Sequence, residues 1–265
     1  MKQLVSLVFM LPLVWAEKGV DRKNITVFFS DAVIPQFVDG DLGGDNWKTT
    51  IILVNLSDHN VRFNLQFWRA DGGPLSVRLS RGRESLETRE GTIDGTIPRD
   101  GLWILESAGN TWTQGWAELN PLGELGGVVI IRRRPGSGPD YEVTVPISSR
   151  FDNRFIVPFD NRDPGENEPG FVTAVALVNP SSSRGTDVAV TFRDENGREI
   201  LRDEIRLGIR EQKVFVLADC YAGLEGRSGV AEFYTGSAEL SGMALRANWA
   251  TGAFVSFHAL STLGR

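Results

Sequence analysis

Trp47-Lys48-Thr49-Thr50-Ile51-Ile52-Leu53-Val54-Asn55-Leu56-Ser57 recurs in register as Phe171-Val172-Thr173-Ala174-Val175-Ala176-Leu177-Val178-Asn179-Pro180-Ser181. Each copy opens on an aromatic ring, places a threonine two residues on, and closes on Leu-Val-Asn-x-Ser. The runs Ile51–Val54 and Val175–Val178 are short and rich in β-branched residues, the pattern of a buried strand. Asn55 and Asn179 stand where that strand leaves the sheet. An asparagine side chain there can bond nearby backbone and set a turn with the following serine.

The match extends outward in one order. Upstream, Ile34-Pro35-Gln36-Phe37-Val38-Asp39 parallels Ile156-Val157-Pro158-Phe159-Asp160, and both run into Gly-containing acidic segments. Downstream, Phe63, Leu65 and Phe67 before Asp71-Gly72 answer to Val188, Val190 and Phe192 before Asn196-Gly197. Alternating apolar residues followed by such a dipeptide signal a hairpin, so both copies are expected to contain the same one. Gly115-Trp116-Ala117-Glu118-Leu119 then matches Gly229-Val230-Ala231-Glu232-Phe233, and Gly127–Arg132 matches Gly242–Arg246. The copies end on Tyr141–Val145 and Phe254–Phe257. A repeat kept in this order points to duplication of one unit.

With turn residues every 8–12 positions or so, seven or eight strands fit into each copy, and no long helical stripe competes with them. The best helical candidate is a turn or two at Ala218–Leu224. The expected fold is all-β: two tandem immunoglobulin-like antiparallel β-sandwich domains, covering 17–149 and 150–265 and meeting near Ser148–Asn153. The seam holds no long linker, so the domains should pack closely, end to end.

Met1–Ala16 places one lysine before an apolar run and ends on a small residue ahead of Glu17, the pattern of a cleaved signal peptide. The run is too short to span a bilayer, and no later segment is long and apolar enough to do so. The reading is therefore export, to a periplasmic or extracellular location. The net charge is −6, and loss of Lys2 with the leader would make it −7, which disfavours nucleic acid and anionic membrane as partners. Cys220 is the sole cysteine, so no intrachain disulfide is available; it reads as a small buried residue or as the site of an intermolecular bridge.

The Leu-Val-Asn-x-Ser strand ends, the Pro-Phe or Pro-x-Phe strands running into aspartate, and the Asp/Asn-Gly turns resemble uncharacterised secreted bacterial proteins with tandem immunoglobulin-like β-sandwich modules. The resemblance covers nearly the whole chain after the leader. It implies the fold and export, and it brings no catalytic residue with it.

Chemistry is sparse. His59 and His258 are the two histidines, one in a polar turn and one on the last strand, and neither has a nucleophile in its motif. No phosphate loop, nucleophile elbow or zinc spacing can be written. No catalytic residue and no cofactor are assigned. Asp39, Asp41 and Asp45, on a Gly-rich segment that ends at Asn46, offer hard oxygens at alternate positions and form the calcium candidate. The counterpart, Asp160–Glu168, is also acidic but contains Arg162. Trp47 and Trp116 match Phe171 and Val230 and are expected in the interior, while Trp68 and Trp103 lie in strand patterns. Trp112 and Trp249 sit in turn-like settings and are the ligand-binding candidates, with glycan stacking in mind. The basic run Arg132–Arg134 reads as a solvated hairpin tip.

The function expected is a secreted non-catalytic binding or adhesive module recognising glycan or another protein. A structural surface or assembly component is the alternative, since exposed sheet edges can accept a strand. A glycoside hydrolase with an unrecognised carboxylate pair is the further alternative. Asn24-Ile25-Thr26 and Asn55-Leu56-Ser57 are the glycan-acceptor triplets considered.

Overall fold

A computed structural model describes residues 31–149, 153–162, 170–236, 239–248 and 250–257. Met1–Ala16, where a signal peptide is expected, and Asn24–Thr26 lie outside these residues, as do Trp249, His258 and Asp163–Glu168. The described chain is almost entirely antiparallel β-structure.

The first half contains β1 (Ala32–Leu42), β2 (Asp45–Asn55), β3 (Val61–Arg69), β4 (Arg78–Arg81), β5 (Glu84–Glu87) and β6 (Thr92–Ile97). It continues with β7 (Leu102–Ser107), β8 (Thr113–Pro121), β9 (Leu125–Arg134), β10 (Tyr141–Val145) and the short β11 (Ser148–Ser149). The second half contains β12 (Arg154–Asp160), β13 (Phe171–Val178), β14 (Thr186–Asp194), β15 (Glu199–Leu207) and β16 (Gln212–Val216). One helical turn (Leu217–Cys220) and a 3-10 turn (Ala222–Leu224) follow, then β17 (Ser228–Tyr234), β18 (Ser241–Asn248) and β19 (Phe254–Phe257). The helical candidate in the sequence is thus two successive single turns.

Each half stacks two sheets in one shared strand order. In the first half, β6-β3-β8-β1 form sheet A1, and β7-β2-β9-β10 form sheet B1, which β4 and β5 extend beyond β7. In the second, β15-β14-β17-β12 form sheet A2 and β16-β13-β18-β19 form sheet B2. Setting β1 against β12, β2 against β13 and so on, with β6 against β15, makes the pairings identical. The immunoglobulin order keeps its first strand beside its second and pairs its last two strands with each other. Here the first strand of each half pairs with β8 or β17, and the place beside β2 or β13 is filled by β9 or β18. The terminal strands are therefore exchanged relative to that order.

Alternation builds the cores. Phe63, Leu65 and Phe67 of β3 point inward with Ile51, Leu53, Leu105 and Leu119, while Val188, Val190 and Phe192 of β14 meet Val175, Leu177 and Phe233. The halves differ in two places. Arg69 and Gly73 close a turn at Asp71-Gly72, but the chain then leaves for β4 and β5 and returns as β6, so the expected first hairpin carries an insertion; Asn196-Gly197 joins β14 directly to β15. In addition, β1 has a bulge between Ile34 and Phe37, whereas β12 runs unbroken along β17. The bulge absorbs the extra residue of the first copy. Ile34 then corresponds to Val157, Phe37 to Phe159 and Val38 to Asp160, one residue away from the alignment made on the aspartates. Beyond the bulge, Gly40–Leu42 leave sheet A1 to pair with Asp45–Trp47, which ties the two sheets of the first half into one hydrogen-bonded set.

The halves pack through a sheet face rather than end to end. On β13, Val175 and Leu177 face their own core, while Ala176 and Val178 face the first half and are equally buried. Together with Met243 they cover the side of the first sandwich formed by β1, whose start also pairs with β11. Val33, Trp68 and Trp116 complete this contact from the outer face of sheet A1. Trp116 is fully buried, as expected, but by the second half and not by its own core. Its counterpart Val230 is 36% exposed, because the outer face of sheet A2 has no such cover.

Candidate functional site

The hairpin between β1 and β2 gathers the calcium candidates. Its turn is Gly43-Gly44, both at positive φ, which a tight two-residue hairpin requires. This makes Asp39–Asn46 two paired strands and a turn, not an open loop. Asp39 is buried and receives Lys48 Nζ at 3.1 Å, Ser107 Oγ at 2.8 Å and the Gly109 amide at 2.7 Å. Asp41 accepts from Asn46 Nδ2 at 2.8 Å, and Asp45 accepts from Arg133 Nε at 2.6 Å. Each carboxylate serves a different protein donor. Among the described residues no group of three His, Cys, Asp or Glu side chains is placed to hold a metal ion.

In the second half, Asp160 takes the place of Val38 and Arg246 the place of Ile131, so a buried apolar pair becomes an ion pair. Asp160 accepts from Arg162 Nε and Arg246 Nε, each at 2.9 Å. Burial pushes the Asp160 carboxyl upward, but hydrogen bonds from Arg162 and Arg246 outweigh it and hold the group below the usual carboxylate range.

Trp112 is half-buried and meets Trp47 edge-on at 6.2 Å; Trp47 in turn stacks on Phe254 of the second half at 5.8 Å. Arg133 lies over Trp47 and donates to the Gly252 carbonyl at 2.8 Å. Trp112 therefore belongs to an aromatic cluster joining the halves. Trp103 packs against the first core beneath Arg81, and Trp68 lies under Arg210 at 4.0 Å while donating to Glu118. The basic run is paired: Arg132 with Glu106, Arg133 with Asp45 and Arg134 with Asp140.

The repeated asparagines act as strand-end clamps. Asn55 Nδ2 donates to the carbonyls of His59, Ile97 and Pro98, while its Oδ1 accepts from the Ser57 amide. Asn179 does the same with Arg184, Gly208 and Ser181. Both are buried, so the Asn55 nitrogen is not presented as a glycan acceptor.

His59 is exposed and pairs with Asp58, whose carboxyl it holds below the usual range through hydrogen bond and charge. The buried carboxylates Asp39, Glu118 and Asp160 are each occupied by donors. Cys220 is exposed, not buried, and lines an open cleft of about 530 Å³ with Ala70, Gln114, Val214, Phe215 and Tyr221. Burial, with Asp203 alongside, pushes the Tyr221 phenol well above its ordinary value.

The largest feature that sequence reading passed over is the outer face of sheet B1. Ile52 pairs with Ile104 on one side and Val128 on the other; Val54 pairs with Leu102, and Ile130 lies one step along. These six aliphatic side chains share one face. Leu102 is 54% and Ile104 is 47% exposed. The signal was present in Ile51–Val54 and Val128–Ile131, which are apolar on both faces of their strands. Comparison with protein-family models, with curated proteins and with solved structures gives no match.

Proposed function

We propose that the protein is an exported, non-catalytic protein-binding module of an extracellular surface or assembly, and that it binds through the aliphatic face of sheet B1. The observation that carries this reading is the uncovered row Ile52, Val54, Leu102, Ile104, Val128 and Ile130. A contiguous exposed apolar face is uncommon on a monomer and marks an interaction surface. Its chemistry favours protein over glycan, because the row is aliphatic with no aromatic platform, and the polar Thr50, Glu106 and Arg132 stand at one end of it, with Arg132 and Glu106 engaged with each other. The signal-peptide pattern of Met1–Ala16 supports export, and among the described residues the buried carboxylates Asp39, Glu118 and Asp160 are each engaged by donors, which favours a binding role over the hydrolase alternative. The immunoglobulin-like kinship belongs to the same proposal: the central strands follow that order while the terminal ones are exchanged.

The test is retention of fluorescently labelled protein on the envelope of producing cells. Native protein should be retained, and a Leu102→Glu/Ile104→Glu variant should be lost while keeping its stability to within about 0.5 kcal/mol, as surface substitutions usually do. Equal retention of both proteins would overturn the assignment of the face.

A further inference from the structure

The internal repeat says what kind of surface covers this face. By strand register, Ile52, Val54, Val128 and Ile130 of sheet B1 occupy the positions of Ala176, Val178, Met243 and Leu245 of sheet B2. In sheet B2 those positions are the ones packed on the preceding half. We infer that the B1 face is covered by the second half of another copy of this chain, so that copies join head to tail through a junction equivalent to the internal one.

The differences between the halves are complementary in that arrangement. At the internal junction, the buried Gln212 amide donates to Pro35 O at 2.7 Å, Gln36 Oε1 at 2.9 Å and Gly115 O at 3.0 Å. Two of these acceptors belong to the β1 bulge. β12 has no bulge, and the position of Gln212 is taken in the first half by Leu102, since Val54 pairs with Leu102 as Val178 pairs with Gln212. The polar donor is present where a bulge must be satisfied and replaced by an apolar side chain where no bulge exists.

Charge follows the same rule. Arg210 stacks on Trp68 at the internal junction. The counterpart of Arg210, in the turn entering β7, is Asp100; both residues have positive φ, 54° and 57°. The counterpart of Trp68 is Arg193, since Trp68 pairs with Trp116 as Arg193 pairs with Val230. Between chains, then, Asp100 of one copy faces Arg193 of the next, with opposite charges where the internal junction has a cation and a ring. The apolar contribution from the second half is Ile156 and Val230, in the places of Val33 and Trp116. A contact between two different surfaces does not saturate in a dimer; it adds copies until a ring closes or a filament grows.

This inference rests on the reading of the B1 face as a binding surface. Its test is sedimentation velocity on the purified full-length chain across a concentration series, with single Asp100→Arg and Arg193→Asp variants and the double variant. Asp100→Arg suits the local backbone, because Arg210 already adopts that conformation in the second half. The native chain should form species that grow with concentration. Each single variant should weaken association roughly tenfold, as loss of an interfacial charge pair does, and the double variant should restore it. A native chain that stays monomeric at its highest soluble concentration would overturn the inference, as would a dimer that does not grow or a double variant that shows no rescue. If the monomeric chain is still retained on the envelope through Leu102 and Ile104, self-assembly falls and the binding reading stands; if retention is also absent, both fall.

Discussion

Sheets B1 and B2 share one strand order and the same inward-facing positions, yet their outer faces have different surroundings. In B2, Ala176, Val178 and Met243 are buried by the first half. In B1, the corresponding Ile52, Val54 and Val128 are partly exposed, beside the exposed pair Leu102 and Ile104. A strand run that is apolar on both faces therefore marks more than the core of its own half: in B2 the second face is buried by the first half, and in B1 it is left open.

The largest effect expected from breaking this contrast is at Trp116. Trp116→Ala empties a fully buried site between the halves and should cost about 3–5 kcal/mol in urea unfolding, the usual scale for such truncations. The equivalent Val230→Ala, on an uncovered face, should stay within about 0.5 kcal/mol. Equal effects would mean that the junction does not contribute to folding.

Gln212 comes next. Gln212→Leu imposes the residue type of the first half where a bulge still needs a donor, leaving the Pro35 and Gly115 carbonyls unsatisfied, and should cost about 1–3 kcal/mol. Leu102→Gln, the reverse exchange on the open face, should be near neutral by thermal unfolding.

A smaller effect separates the ionic and apolar versions of one core position. The Asp160 pKa is depressed in the folded state, so its contribution is fully present above the unfolded value near 3.9 and lost as pH falls through the folded value. Arg246→Met should therefore cost about 1.5 kcal/mol at neutral pH, with the deficit shrinking as the pH is lowered below 4. In the first half the position holds Ile131 against Val38, and Ile131→Val should give a deficit that is flat over the same range. A pH-independent deficit for Arg246→Met would show that its packing on Phe171, and not its pairing with Asp160, is what matters.

Much of the fold was legible because its determinants are local. Alternation placed β3 and β14, and Leu-Val-Asn-x-Ser identified the strand ends where Asn55 and Asn179 clamp the turns. The remainder depended on contacts that periodicity does not encode. The aspartates of β1 and β12 were matched one residue out because a bulge is invisible to side-chain pattern. Trp116 was expected to be interior, and it is, but the surface that buries it lies far along the chain, at Val178 and at Arg210, the latter 94 residues away. The acidic segment Asp39–Asn46 suggested a cation because composition shows carboxylates and not their partners; Lys48, Asn46 and Arg133 answer them one by one.

The most direct test of the account is an electron cryomicroscopy reconstruction of the chain at assembling concentrations. The account expects successive halves to be related by one repeated junction, with Val54 and Leu102 of one copy seated against β12 of the next and Asp100 beside Arg193. A reconstruction in which sheet B1 meets another sheet B1 across a twofold axis, or faces solvent, would contradict it.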